Sequence, residues 1–600
     1  IPLLLMGGII GRLFREFAVT LAVTIFVSMV VSLTLTPMMC SRFLRAHSEA
    51  PKHGKFYQWS ERGFDAMLGA YERGLDVALR WRLTTLVIFF ATLALSVYLF
   101  IIIPKGFFPQ QDIGLITSTS EANQDISFAE MKRQQEALGA IAQADPAVAS
   151  VAMAIGGNGR AGNNGSVYIT LKPLSERDAS AQQIIARLRP KLEKVDGARL
   201  FMQAAQDVRL GGRPTRTQFE FTLQDANLDE LNEWAPKVLA KMKTLPELRD
   251  VATDQQSEGT TLQLKINRDT ASRYGIQPQL IDDTLYDAFG QRQVTQYFTQ
   301  LNSYHVILEI LPELQGNLDT LDKLYIKSPL TGEQVPLATF ATWSSVPVRS
   351  LSISHQGQFP AITISFNLAQ SVALGQATDA VQKAMADLGT PATLNSSFQG
   401  TAQAFQQSLG TVPLLILAAL VVVYLILGIL YESYIHPLTI LSTLPSAGVG
   451  ALAILMAFGY DFSLIALIGI ILLIGIVKKN GIMMVDFAIS AERDEHLTPE
   501  QSIRKAALLR FRPIMMTTMA AMLGGVPLML GTGTGSEIRQ PLGYAMVGGL
   551  LVSQALTLFT TPVVYLYLDR LSVAFSNWGR SKDDDDDRLA EHGAVKEAAE

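Results

Sequence analysis

Long apolar runs are the feature that most constrains the fold of this chain. A helix needs about 20 mostly apolar residues to cross a bilayer, and it must satisfy its own backbone polar groups there. Seven runs fit this description, which predicts seven membrane spans. They are Phe17 to Cys40, Leu83 to Ile103, Thr411 to Leu430, Leu438 to Phe458, Phe462 to Val485, Ile514 to Leu530 and Leu542 to Leu568.

The segment from Pro104 to Gly410 has no such run and is predicted to form a large water-exposed domain. Strand and helix patterns alternate from Ile113 to Ala204 in the order βαββαβ, which is typical of a split βαβ, or ferredoxin-like, unit. A second such unit begins at Gln218 to Leu223 and resumes at Ala361, with an insertion from Gly259 to Ser345. The predicted fold class is an α-helical polytopic membrane bundle with a large α+β domain.

The distribution of lysine and arginine orients these spans. Cytoplasmic loops carry an excess of both residues. The segments Ser41 to Arg82 and Asp486 to Arg512 are rich in them and are predicted to be cytoplasmic. Counting the spans then places the large domain and the turns at Gly459 to Asp461 and Gly531 to Gln540 on the outer side, and the C-terminal tail on the inner side.

Apolar residues recur at helical spacing within the first of these cytoplasmic segments, with charged residues between them. The pattern predicts a helix that lies at the membrane interface. A helix packed on protein has the same pattern and is the alternative. The apolar residues are Phe56, Trp59, Phe64, Met67, Leu68, Tyr71, Leu75 and Leu79.

Composition and motifs exclude several classes of protein. A net charge of −5 does not fit a nucleic-acid-binding surface, and the one cysteine, Cys40, excludes an intramolecular disulfide and a cysteine-rich metal site. The glycines from Gly531 to Gly535 are not followed by lysine and serine or threonine, so they form no phosphate-binding loop. We therefore predict no catalytic residue, no cofactor and no metal site.

Charge within the apolar runs is the informative signal. Lys478 and Lys479 lie about two thirds of the way along a predicted span, where a charge costs about 2.5 to 3.5 kcal/mol on insertion scales. A lysine that extends to the cytoplasmic surface is the alternative. Arg510 precedes the next span, and Thr517 lies close to the same helix face as Arg510. Arg510 also fits an ordinary positive flank, and Thr517 a hydroxyl bonded to its own helix.

Four segments carry a resemblance to a known family. The sequences IGIVKKNGIMMVDFA and LLRFRPIMMTTMAAMLGGVPLMLGTGTGSEIRQPLG resemble the tenth and eleventh membrane helices of resistance-nodulation-division (RND) efflux pumps. LFREFAVTLAVTIFVSMVVSLTLTPMMC resembles their sixth helix, and PKGFFPQQDIG resembles the entry to their second porter half. The resemblance extends over essentially the whole chain and is strongest to the hydrophobe/amphiphile multidrug subgroup, including subunits of mixed trimers.

The family fold has twelve spans in two repeats, and it implies how this chain is divided into segments. The chain starts within an apolar run, Ile1 to Ile10, and is interpreted as a C-terminal fragment that begins in the fifth span. The implied segments are 1–40, the end of span five and span six; 41–82, a cytoplasmic loop with an interfacial helix; 83–103, span seven; 104–213, porter subdomain 1; 214–257 and 346–410, porter subdomain 2; 258–345, a docking domain; 411–570, spans eight to twelve; and 571–600, a cytoplasmic tail.

The resemblance also implies a proton-relay site. Alignment through KNGIMMVDF makes Lys479 the lysine that interacts with two aspartates of span four in the family. Thr517 and Arg510 match the partners on span eleven. Paired carboxylates in a site of low dielectric bind a proton when the lysine does not compensate their charge.

A substrate loop is implied at Gly156 to Ser166, for which we name Gly157, Gly165 and the neighbouring Tyr168. This loop is usually rich in aromatic residues in the family. Here it has none, and Ala152 stands where a phenylalanine is common. Because aromatic faces supply much of the apolar contact with drugs, a mixed trimer in which another subunit binds the substrate fits this departure.

The resemblance implies a proton/substrate antiporter in the bacterial inner membrane with a periplasmic domain, rather than an enzyme. Its implied partners are homologous subunits in a homo- or heterotrimer, a periplasmic adaptor protein, an outer-membrane channel, the lipid bilayer, protons and small amphiphilic substrates. One alternative is an RND heavy-metal exporter that uses Met153 and Met202, since thioether sulfur suits soft ions. Another is a membrane scaffold or channel that transports nothing by itself.

Overall fold

The computed structural model describes residues 8–43, 55–156, 162–207, 215–256, 259–347 and 352–597, with the backbone alone at 8–10, 13, 56–57 and 572–597. Its helices are α1 (Gly8–Phe43), α2 (Lys55–Arg80), α3 (Arg82–Ile102), α4 (Phe128–Gln143), α5 (Ala181–Leu192), α6 (Leu228–Lys243), α7 (Arg268–Arg273), α8 (Pro278–Phe289), α9 (Pro312–Gln315), α10 (Leu374–Leu388), α11 (Gly400–Tyr431), α12 (His436–Leu441), α13 (Leu444–Ala457), α14 (Leu464–Glu495), α15 (Pro499–Met529) and α16 (Ser536–Glu597). Its strands are β1 (Leu115–Ala122), β2 (Val148–Ile155), β3 (Asn164–Leu171), β4 (Ala198–Ala204), β5 (Phe219–Gln224), β6 (Leu248–Thr253), β7 (Thr260–Ile266), β8 (Arg292–Phe298), β9 (Ser303–Leu308), β10 (Tyr325–Lys327), β11 (Gln334–Pro336), β12 (Ala341–Pro347), β13 (His355–Gln356), β14 (Phe359–Leu368) and β15 (Asn395–Gln399).

Six helical stretches in the described part of the chain are long and apolar enough to cross a membrane. They are Phe14–Phe43, Arg82–Ile102, Gly400–Tyr431, His436–Ala457, Leu464–Glu495 and Ser536–Leu571. The seventh predicted span, Ile514 to Leu530, is helical within α15 but is not among the six. Its apolar part ends at Met529 and is rich in methionine, threonine and glycine, which are less hydrophobic than leucine or isoleucine.

Small residues bring the membrane helices into close contact. A Cβ atom at Gly450 of α13 would lie 2.7 Å from Val552 Cβ, and one at Gly548 of α16 would lie 2.8 Å from the Gly450 carbonyl oxygen. Such close approach of backbones is the usual way in which helices pack in a membrane, where the hydrophobic effect does not drive helices together. The α13–α16 contact therefore depends on glycine at both positions.

The first α+β unit follows the predicted order of elements, from β1 to β4. Its four-stranded sheet has the order β2-β3-β1-β4, and adjacent strands are antiparallel. One face packs against α4 and α5 around Ile116, Leu138, Ile169 and Ile184, which are fully buried. The other face carries the exposed side chain of Tyr168.

The second α+β unit has the same arrangement in two pieces of chain. Strands β5, β6, β14 and β15 pair in the order β6-β14-β5-β15, with α6 and α10 packed against the sheet. The inserted segment between β6 and β14 has its own core, which includes Ile281, Leu337 and Phe340. Its strands form three two-stranded pairs, β7 with β12, β8 with β9 and β10 with β11.

Helix α2 is packed on protein over its C-terminal half. Tyr71 and Leu75 are buried, and the Tyr71 ring stacks on Phe511 of α15 at 4.7 Å between centroids. The Tyr71 hydroxyl donates a hydrogen bond to the Leu558 carbonyl oxygen of α16. Trp59, in the N-terminal half, is exposed. The alternative of packing on protein therefore describes the second half of the helix, and a position at the membrane interface stays a prediction for the first half.

The segment from Pro104 to Phe107 joins the bundle to the α+β units. Phe462 N donates to Pro104 O at 2.8 Å and Leu464 N donates to Phe107 O at 3.0 Å, so the segment is bonded to the start of α14. Gly375 N, at the start of α10, donates to Lys105 O at 2.9 Å. Because these bonds are made by the backbone, α3, α10 and α14 meet in one rigid joint, which we call the α14 joint.

A carboxyl group is half-buried at the α14 joint. A methyl group at Gly106 would lie 2.9 Å from Asp461 Oδ2, so glycine is needed for this approach. Burial raises the pKa of the Asp461 carboxyl from 3.8 to about 6. Since the unfolded chain then loses this proton at lower pH than the folded chain, the group lowers folding stability progressively as the pH rises from about 4 through 6.

We expect Asp461→Asn to raise the melting temperature of the detergent-solubilised protein at pH 7.5, because it removes the buried charge. The gain should shrink as the pH falls through 6 and disappear below about pH 3, where Asp461 is protonated in both the folded and the unfolded chain. The difference in melting temperature between the variant and the native protein is measured by thermal unfolding across this pH range. Asp387→Asn, on the exposed side of α10, is the control. An increase of equal size at every pH would contradict burial of the charge as its cause.

Candidate functional site

The candidate site lies between α14 and α15, and local sequence signals fix where both helices begin. Ser463 caps α14 by accepting a hydrogen bond from Ala466 N. Thr498 and Gln501 form a capping box at the start of α15, with Pro499 in its first turn. Both arrangements satisfy backbone N–H groups that have no partner within the helix.

Two side-chain contacts set the antiparallel register of α14 and α15. Asn480 Nδ2 donates to Thr518 Oγ1 at 3.0 Å. The Arg510 guanidinium lies over the Phe487 ring, with Cζ 4.9 Å from the centroid. Asn480 therefore faces Thr518, and Phe487, two turns later along α14, faces Arg510, which comes two turns earlier along α15.

This register locates the three predicted relay residues. Lys479 and Thr517 lie at nearly the same level of the bundle, about 3 Å apart along its axis, because each is one residue from the Asn480–Thr518 pair and the two helices are antiparallel. Arg510 lies about two helical turns nearer the C-terminal end of α14. In the described part of the chain, no hydrogen bond or ion pair joins Lys479, Thr517 and Arg510 to one another. The structure therefore places them along one helix pair without direct contact.

Lys479 lies on an open face of α14. Its side chain is exposed, and the space one turn earlier, where a Cβ of Gly475 would be, holds no atom within 4 Å. The neighbouring Lys478 is half-buried. The Lys479 ammonium, within a stretch long and apolar enough to cross a membrane, is thus presented to whatever packs on this face.

Thr517 and Arg510 differ in their local partners. The Thr517 hydroxyl donates to Ile514 O of its own helix at 3.2 Å, as serine and threonine in membrane helices often do. Arg510 Nε is buried and has no hydrogen-bond partner among the described residues. An unpaired buried donor costs free energy, so the Arg510 guanidinium retains the capacity to bind an acceptor that approaches this face.

A buried polar cluster adjoins Lys479. Asn480 Nδ2 also donates to Gln554 Oε1 of α16 at 3.2 Å, so one amide bridges three helices. Gln554 Nε2 lies 3.1 Å from Met515 Sδ of α15. We call Asn480, Thr518 and Gln554 the amide cluster. These three residues are not among those predicted from the sequence, although polar side chains inside apolar spans are a signal by themselves.

The predicted substrate residues have separate positions. Gly157 lies outside the described residues. Gly165 lies within β3, which begins three residues before the predicted Val167, and any side chain there would collide with Gln135 Oε1. Tyr168 is 47% exposed and is flanked across the sheet by Ala152 and Thr117. The environment of Tyr168 is therefore a shallow surface of small side chains.

Met153 and Met202 do not converge on a common point. They lie on β2 and β4, which are the two edges of the four-stranded sheet. At the usual spacing of about 4.8 Å between strands, the edges are roughly 14 Å apart. No group of three or more His, Cys, Asp or Glu side chains that could hold a metal ion occurs among the described residues.

Comparison with known proteins decides the family. The sequence profile of the AcrB/AcrD/AcrF family matches residues 1–569. This chain belongs to that family. The RND resemblance of the sequence is thereby confirmed, and the chain is a multi-pass membrane protein of a transporter family.

The relatives share the name multidrug resistance protein MdtC. The proteins of this name from Yersinia pestis bv. Antiqua (strain Angola) and Yersinia pseudotuberculosis serotype O:3 (strain YPIII) are both 51% identical to this chain over 580 residues. The match covers 96% of this chain and 56% of each relative, so the chain spans about half the length of these proteins.

A solved structure supports the fold. The crystal structure of a heavy metal efflux pump has a TM-score of 0.81 to this chain, with 22% sequence identity. The similarity covers 95% of this chain and 57% of the pump chain. At this identity the match shows the fold alone.

The two adjacent threonines of α15 are expected to differ in their effect on stability. Thr518→Val removes an acceptor of a buried interhelical bond and should destabilise the bundle by about 1 kcal/mol. Thr517→Val removes a bond within one helix and should change the melting temperature little. Thermal unfolding in detergent compares the two variants, and an equal loss in both would contradict the assigned partners.

Proposed function

We propose that this chain is part of an inner-membrane subunit of a proton-driven efflux pump that exports small amphiphilic compounds. The observation that carries the proposal is Lys479, a cation on the open face of the apolar helix α14. Membership in a transporter family and relatives named for multidrug resistance support the same function.

The depth of Lys479 in the membrane makes its charge energetically costly. Lys479 lies about 22 Å along α14 from Leu464, inside a bilayer core about 30 Å thick. Placing a charge at this depth costs free energy when lipid surrounds it, and much less when opposite charges lie beside it. We therefore propose that a membrane helix with carboxylates packs against the Gly475–Lys479 face in the complete transporter.

Proton coupling follows from such a pairing. When Lys479 compensates the carboxylates they stay ionised, and when a proton binds them the attraction to the lysine weakens. The change in charge then favours a different packing of α14 against its neighbours. Arg510, with its unpaired Nε, is proposed to assist from the C-terminal side, and Thr517 from nearly the same level as Lys479.

The large domain is proposed to be periplasmic. We propose that the α+β unit from β1 to β4 is porter subdomain 1 and that the unit formed by β5, β6, β14 and β15 is porter subdomain 2. The inserted segment from β7 to β12 is proposed to be the docking domain. On this proposal the chain assembles in a trimer with homologous subunits, and the trimer meets a periplasmic adaptor protein and an outer-membrane channel.

The substrate surface is proposed to belong partly to another subunit. Tyr168 is flanked by Ala152 and Thr117, and Phe201, the other aromatic residue on this face of the strands, is buried. The face therefore offers one exposed aromatic ring where several would be needed to enclose an apolar drug. A heterotrimer in which a related subunit supplies the aromatic contacts is consistent with this surface.

We expect Lys479→Met to abolish proton-driven export, because the carboxylates lose their compensating charge. The experiment uses the complete transporter in proteoliposomes with an imposed pH gradient, taurocholate as the probe and trapped pyranine to report proton movement. Lys478→Met is the matched control, since it removes the neighbouring ammonium and should retain most of the activity. Unchanged coupling in Lys479→Met would favour a scaffold or channel instead.

A further inference from the structure

The amide cluster lies at a level of α14 where three successive residues have three different environments. Lys479 is on the open face, Asn480 is 7% exposed and bonded to α15 and α16, and a Cβ at Gly481 would lie 3.1 Å from Thr443 Cγ2. Successive residues of a helix differ by about 100° in direction. The side on which Asn480 is held thus sets the direction in which Lys479 points.

We propose that Asn480, Thr518 and Gln554 are positioning residues that set the rotation of α14 and so hold Lys479 on its open face. This inference rests on the function proposed for Lys479. It assigns to the amide cluster the additional task of transmitting a change at Lys479 to α15 and α16.

The hydrogen-bond chemistry suits this role. The Asn480 amide nitrogen has two protons, and its two acceptors lie on different helices. A rotation of α14 therefore changes its bonds to α15 and α16 together. Because a buried amide is costly when unpaired, the cluster favours one rotation of α14 over its neighbours.

The cluster itself carries no charge, and few charged groups lie near it. Residues of α16 between Arg539 and Asp569 are uncharged, and so is all of α13. On α14 the charges near the cluster are Lys478, Lys479 and Asp486, which lies two turns further along the same face as Lys479. On α15 the nearest charges are Arg510 and Arg512. Loss of the cluster therefore affects proton binding through the position of these cations, chiefly Lys479, rather than through a group of its own.

The α13 side of α16 offers a matched comparison. Ser553 is buried beside Gln554 in the sequence, and its hydroxyl contacts Ser446 Oγ at 3.2 Å and Thr557 Oγ1 at 3.1 Å. The first bond joins α16 to α13, the second lies within α16, and neither reaches α14. A variant of Ser553 therefore loses buried hydrogen bonds of the same bundle without loss of the contact to Asn480.

The test compares Gln554→Met with Ser553→Ala in the complete transporter in proteoliposomes. Taurocholate export is measured as a function of pH, with pyranine to report proton movement. Gln554→Met keeps the length of the side chain and removes the amide, so Lys479 compensates the carboxylates less well. We expect the pH of half-maximal export to rise by about one unit in Gln554→Met and to stay unchanged in Ser553→Ala.

Two further variants keep the inference falsifiable. If Gln554→Met fails to fold, Thr518→Val removes the other acceptor and should shift the pH of half-maximal export in the same direction, whereas Thr518→Ser keeps the hydroxyl and should not. An unchanged pH profile in Gln554→Met or Thr518→Val, or an equal shift in Ser553→Ala, would overturn the positioning role.

The Lys479→Met and Gln554→Met experiments together distinguish failure of the proposed relay from failure of the positioning role. If Lys479→Met leaves proton-driven export intact, the relay proposal fails. If Lys479→Met abolishes export while Gln554→Met behaves as Ser553→Ala does, the relay stands and only the positioning role of the amide cluster is lost.

Discussion

The backbone hydrogen bonds of the α14 joint are the constraint on which the rest of the structure depends. They bind the segment from Pro104 to Phe107 to the first turn of α14 on one side and to the start of α10 on the other. One hydrophobic core continues through this point, from Ala447 and Leu464 in the bundle to Phe219 and Phe366 in the second α+β unit. A displacement of α14 is therefore passed to the large domain through fixed contacts rather than through a flexible linker.

The same helix carries the charge that the bundle has to accommodate. Its N-terminal end is fixed at the α14 joint and its middle is bonded through Asn480 to α15 and α16, while Lys479 faces open space. On the proposed function, a proton that binds beside Lys479 changes the force on a helix that is held at the α14 joint and at Asn480. The proposed coupling of proton movement to the α+β units thus needs only a change in the packing of α14.

The sequence was sufficient for features that depend on local pattern. Apolar length located six of the seven predicted spans, and the alternation of strands and helices predicted the order from β1 to β4. Charge in an apolar run pointed to the pair Lys478 and Lys479, of which the family resemblance selects Lys479. Features that depend on distant contacts were not accessible. The Asn480–Gln554 bond joins residues on separate helices, Gly165 is held in β3 by Gln135, and an amphipathic helix such as α2 has the same pattern whether protein or lipid covers it.

The most direct measurement is a structure of the complete transporter at a resolution that shows side chains. The account predicts a carboxylate oxygen within about 4 Å of Lys479 Nζ, on a membrane helix that packs over Gly475. It also predicts that the carboxylate moves away from the lysine when the site is protonated. A Lys479 side chain that faces lipid or extends to the membrane surface, with no acidic residue beside it, would contradict the account.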